Sequence, residues 1–106
     1  MVDSSTSLTL DAEAPAPYVH LDNRALVLCN GSSCVMLPSA RFPRVRETFA
    51  LIADEQRATR MEGDHVLGGF VDGGGGVVIF AGGREAIISL RLEAGAFAAL
   101  RERLAA

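Results

Sequence analysis

Lysine is missing from this chain: all ten of its basic residues are arginine. A phosphate loop of the Walker type needs Gly-Lys-Ser/Thr, so that chemistry is excluded despite the run "DGGGG" at 72–76. A dinucleotide-binding turn needs its glycines to open a helix, whereas these open a β-rich stretch, "VVIF". A hairpin loop is the expected role of the run. Cysteine and histidine are scarce, two of each. His20 and His65 stand far from each other and from Cys29 and Cys34, so no metal centre is expected. "HLD" (20–22) and "GDH" (63–65) each set a histidine beside a carboxylate, but no G-x-S-x-G turn offers a nucleophile. No catalytic residue, cofactor or enzyme activity is expected. No apolar run reaches the length of about 18 residues that a membrane helix needs. "MVDSSTSLTLDAEAPAPY" lacks the basic and apolar regions of a secretory signal. A cytoplasmic location with reduced cysteines is therefore the expectation.

What is present is a good core composition, 49% apolar, in a chain of 106 residues. That length suits one domain, or two small halves sharing one core. Charge is uneven. Residues 1–23 hold four acids and no base, 24–60 hold six arginines against three acids, and 61–106 hold four arginines against six acids, for a net charge of −3. An acidic chain argues against a strongly electrostatic nucleic-acid binder, while the middle can still form a positive patch.

"ALVLC-NG-SSCVMLP" predicts a β-hairpin around Asn30-Gly31. Val27, Cys29, Cys34 and Met36 share one face, and Leu26, Leu28, Val35 and Leu37 the other. Both faces are apolar, so the ribbon is expected to be covered on both sides. With a four-residue loop the two cysteines sit opposite each other, within bonding reach under oxidation. Buried free thiols are the favoured reading, ahead of a disulfide and of a metal or redox centre. Pro43 and the spacing of Val45, Phe49, Ile52 and Ala53 predict a helix near 43–58. Strands follow at 66–71, 77–80 and 85–90, then a helix near 93–104 with Phe97, Leu100 and Leu104 on one face.

The chain can be laid on itself without gaps. Tyr18-Val19 then falls on Phe70-Val71, Leu26–Cys29 on Val78–Ala81, Gly31 on Gly83, Val45 on Phe97 and Ile52 on Leu104. The expected fold is α+β: an internal duplication of β-β-β(-β)-α units, about 12–60 and 64–106, in one domain, with antiparallel sheets packed on two helices. "SLTL" (7–10) is a candidate extra strand. Whether residues 1–15 join the fold is left open.

The ending "AIISLRLEAGAFAALRERL" (86–104) resembles that of the positive-coactivator and PUR proteins, whose β-β-β-β-α plan is shared by the plant Whirly proteins. The resemblance covers the second half best, and the first through the repeat. It implies a paired or duplicated βα module that binds single-stranded DNA or RNA without catalysis. On that basis Tyr18 and Phe70 are the base-stacking candidates and Arg24, Arg41, Arg44 and Arg84 the phosphate candidates. The bland reading of Arg41, Arg44 and Arg46 is a solvated helix face paired with Glu47. The competing function is a protein-interaction or dimeric assembly module with no nucleic-acid role. A continuous arginine stripe favours the first and neutralised arginines the second.

Overall fold

The computed structural model describes residues 17–106. "SLTL" and the rest of the segment 1–15 lie outside the described part. Three strands, β1 (Tyr18–Leu21), β2 (Ala25–Cys29) and β3 (Cys34–Pro38), form an antiparallel sheet in that order. A 3-10 turn leads into helix α1 (Phe42–Glu55). Strands β4 (Arg57–Glu62), β5 (His65–Val71), β6 (Val77–Gly82) and β7 (Ile87–Leu92) then form a second antiparallel sheet, again in chain order. Helix α2 (Ala94–Ala105) closes the chain. The class is α+β, as the residue pattern predicts.

Helix α1 begins where Pro43 supplies a fixed φ and lacks the N–H that a first turn leaves unused. It stops at Gln56, whose N–H makes a last helical bond to the Ile52 carbonyl at 3.0 Å and whose left-handed backbone then turns the chain out of the helix. The helix therefore ends short of residue 58. "RATRME", read as the helix end and the connector beyond it, is strand β4 instead. Val45, Phe49 and Ile52 are buried, and the Phe49 ring lies 5.3 Å from that of Phe97 on α2. Helix α1 packs on β4 and β5 of the second sheet rather than on its own leading strands alone. The inward residues of both sheets, including Leu26, Leu28, Leu37, Leu67, Ile79 and Leu90, share one core with the helices.

The first hairpin has the four-residue connection. The Asn30 N–H donates to the Ser33 carbonyl at 3.0 Å, and Asn30 Oδ1 accepts from the Ser32 and Ser33 amides. Gly31 provides the positive φ that the turn needs. Cys29 therefore pairs with Cys34. Their Cα atoms are 4.1 Å apart and the two form a disulfide, which corrects the expectation of free thiols. The reason is the register: the Asn30–Ser33 hydrogen bond makes the next pair the narrow, non-hydrogen-bonded kind, which brings side chains closest. Cys34 is exposed while Cys29 is buried, so only one thiol position is a core position. The expectation that the ribbon is covered on both sides is also corrected. Met36 is 65% exposed and Tyr18 55%, because the helices cover only the Leu26/Leu28 face.

The two connectors β2–β3 and β6–β7 are alike: the Gly83 N–H donates to the Ala86 carbonyl at 3.0 Å, as Asn30 does to Ser33. Gly82 pairs with Ile87 as Cys29 pairs with Cys34, so Cys29 corresponds to Gly82 and not to Ala81. The helices, by contrast, begin at Phe42 and Ala94 and keep the offset that lays Val45 on Phe97. A one-residue slip turns a strand over. At the helices' offset, inward Leu26 and Leu28 would fall on Val78 and Phe80, which face outward. The ungapped residue match thus does not hold in these strands, although the element order runs in parallel.

Candidate functional site: the open face of the four-stranded sheet

Strand register sorts the second sheet into two faces. Inward lie Ala58, Gly69, Ile79 and Leu90 in one row, with Ile52 of α1 reaching over Gly69. Outward lie three rows: Arg57-Phe70-Val78-Arg91, Thr59-Gly68-Phe80-Ser89 and Met61-Val66-Gly82-Ile87. Met61 is 65% exposed, Ile87 59% and Phe70 42%, and among the described residues nothing packs over them. The Phe80 ring lies across Gly68, where a Cβ would come within 2.7 Å of two ring carbons. Glycine at this position leaves room for the ring over the sheet, so the middle of this row is apolar, with exposed Thr59 and Ser89 at its two ends. Contiguous apolar surface of this kind marks an interaction site more often than it marks nothing.

Charge is confined to one end of that face. The Asp72 carboxylate accepts from Arg91, which holds its pKa below the usual aspartate value; the amides of Gly74 and Gly76 add to this. The same pair, with Glu93 at 3.0 Å, raises the Arg91 pKa further. Arg57, at the other end of the row, has no acidic partner within salt-bridge distance among the described residues.

The six predicted contact residues do not converge. Tyr18 lies on the outward face of the three-stranded sheet beside the disulfide, and Phe70 on that of the four-stranded sheet. Arg24 sits in the β1–β2 turn, where its amide and that of Ala25 donate to Asp22 and lower that carboxyl's pKa. Arg84 in the β6–β7 turn pairs with Asp64 at 2.7 Å. Arg41 and Arg44 do come together, yet on Glu62, at 3.5 and 2.9 Å. Glu47 completes the cluster with Arg44 at 3.4 Å and Arg60 at 2.9 Å. Beneath it lies a recess of about 20 Å³, lined by Leu37, Val45, Thr48 and Leu67. That is room for about one water and for no cofactor. Arg46 and Arg103 donate to the carbonyls of Leu104 and Leu21, tying α1 to α2 and α2 to β1. Among the described residues no group of three or more His, Cys, Asp or Glu could hold a metal ion. No described helix is long and apolar enough to cross a membrane.

Sequence reasoning missed Arg57, Met61 and Ile87. Their signal was the period-two alternation of "RATRME" and "IISLRL"; in the first it is hidden because β4 has few apolar residues and its first two residues continue the helix pattern, while Ile87 lies in an expected strand whose open face was not foreseen. Searches against protein-family models, curated proteins and solved structures find no match to this chain.

Proposed function

We propose that this chain is a non-enzymatic assembly module that pairs with a second copy of itself through the outward face of β4–β7. One observation carries the reading: the face is open and apolar, while the arginines able to grip phosphate are mostly taken up by acids. Arg41, Arg44, Arg60, Arg84 and Arg91 all form ion pairs. That is the neutralised pattern, not a stripe. A second copy suits the face because charge lies in one terminal row only. A two-fold axis through the Gly68–Phe80 centre sets the Arg57/Arg91 row of one copy over the uncharged Met61-Val66-Ile87 row of the other. Like charges then stay apart and the two Phe80 rings meet. Four strands about 4.8 Å apart and about six residues long at ~3.3 Å cover roughly 400 Å² in plan. This is within a factor of about two of the ~800 Å² per partner of a standard interface. Sedimentation velocity tests it: the expected mass is twice the 11.2 kDa of the monomer, and Ile87→Asp returns it to a monomer that still melts cooperatively, with a melting temperature no longer dependent on protein concentration. A wild-type monomer at about 100 μM removes the proposal.

A second reading, single-stranded DNA or RNA binding, has one observation in its favour. Phe70 and Tyr18 are both exposed on sheet faces, and Phe70 has Arg57 beside it in register, with no acidic partner among the described residues. Stacking on such rings contributes roughly 1–3 kcal/mol per base. Titration of labelled oligothymidine at low salt decides it. Binding that weakens with Phe70→Ala supports this reading, and no binding at about 100 μM protein ends it.

A further inference from the structure

We infer that the Cys29–Cys34 disulfide is a site of thiol–disulfide exchange, opened by a small thiol or a dithiol protein at Cys34. The two sulfurs are unequally placed. Cys29 is 1% exposed on the central strand β2, whereas Cys34 is exposed at the start of the edge strand β3. Cys34 also lines an open groove of about 720 Å³ between β3 and the β6–β7 turn, with Ser33, Met36, His65 and Arg84. An attacking thiolate therefore has access to one sulfur and not to the other, and access together with the leaving thiol decides the rate.

A thiolate RS⁻ attacks Cys34 Sγ, forming RS–Sγ34 and breaking the Sγ34–Sγ29 bond. The bond electrons leave on Cys29, which takes a proton from solvent. A second RS⁻ attacks the outer sulfur, releasing Cys34 as a thiolate and RSSR. Two electrons pass from the two thiols to the protein. The reverse is quick to begin, because Cys29 stays opposite Cys34 in the register that set their Cα atoms 4.1 Å apart. The loop that the bond closes is short, so opening it releases little chain entropy and leaves the fold standing. Chains kept in a reducing compartment carry such bonds mainly as transient or sensing ones.

Three measurements on the full chain test this. Cys29→Ser leaves Cys34 alone and is expected to take up one glutathione from oxidised glutathione and keep it, since no resolving thiol remains. Cys34→Ser leaves the buried Cys29, expected to be alkylated about 100-fold more slowly than Cys34 in the other variant. In the wild type, millimolar dithiol is expected to open the bond under native conditions and lower the melting temperature by about 10 °C, with a cooperative melt retained. The inference is overturned if both single-cysteine variants are labelled equally slowly. It is equally overturned if reduction proceeds only at the rate of global unfolding, or if the reduced chain shows no cooperative melt; the bond is then a structural staple.

Discussion

Adding one methyl group at Gly68 sets two general effects against each other at a defined place. In the interior of a strand, replacing glycine by alanine normally stabilises by about 0.5–1 kcal/mol, because the unfolded chain loses freedom. At Gly68 the new Cβ would stand 2.6 Å from the Ala58 carbonyl oxygen and 2.7 Å from the Phe80 ring. The ring can tilt away; the carbonyl belongs to the β4 backbone and cannot without moving the strand. Inserting a carbon into space this tight costs about 1–3 kcal/mol. Steric cost less propensity gain leaves a net loss between about 0 and 2.5 kcal/mol for Gly68→Ala, centred a little above 1. At ~4–8 °C per kcal/mol for a domain of this size, the melting point should fall by on the order of 10 °C. Urea unfolding followed by circular dichroism reads the same quantity through its midpoint, provided the slope is unchanged. The sign is decisive. A Gly68→Ala protein more stable than wild type means that neither the Ala58 carbonyl nor the Phe80 ring crowds residue 68 in this way, and the apolar centre of the docking face goes with it.

Gly95, in the first turn of α2, is the matched control: beyond its chain neighbours and its own helix backbone, no described atom lies within 4 Å of its would-be Cβ. Gly95→Ala should therefore raise stability by about 0.8–1 kcal/mol, and a thermal melt showing a loss would point to a clash that the structure does not contain. Acid should weaken the fold through Asp22 and Asp72, whose folded pKa values lie below the ordinary 3.8. Below that value the unfolded chain binds more protons than the folded one, so stability is full above about pH 4 and falls as pH drops through the depressed values. Asp72→Asn should flatten that acid limb in a melting series; an unchanged limb would show that the Arg91 pair does not set it.

Local chemistry made much of the fold readable. Asn30-Gly31 between aliphatic runs announced the hairpin, and Val45, Phe49 and Ile52 announced α1. A four-residue loop sets the cysteines face to face, and the Asn30–Ser33 hydrogen bond that fixes this loop is visible only in the structure. Strand β4 was hidden because its inward residues are Ala58, Arg60 and Glu62. Such charges pass for a helix surface until the ion pairs of Arg60 with Glu47 and Arg44 with Glu62 show that they sit at the rim of α1. Inward-pointing charge is a common device on edge strands, and it defeats a search for apolar alternation. The open face was misjudged for a related reason. An apolar strand residue says that a side chain prefers cover, and in β2–β3 the helices supply cover to one side only. The sites scattered because Tyr18 and Phe70 were matched through an offset that the strand register does not follow.

The placement of α1 across β4 and β5 has a consequence for synthesis on the ribosome. The helix is complete at Glu55, but β4 and β5, on which it packs most, end at Val71, and Phe97, which covers Phe49, follows later still. At ~5–20 residues per second, the stretch from Gln56 to Val71 takes about 1–3 s to emerge. During that interval a finished amphipathic helix waits with its apolar side bare. The nascent chain is most exposed to chaperones, and to neighbouring chains at the same stage, while β4 and β5 are still being made.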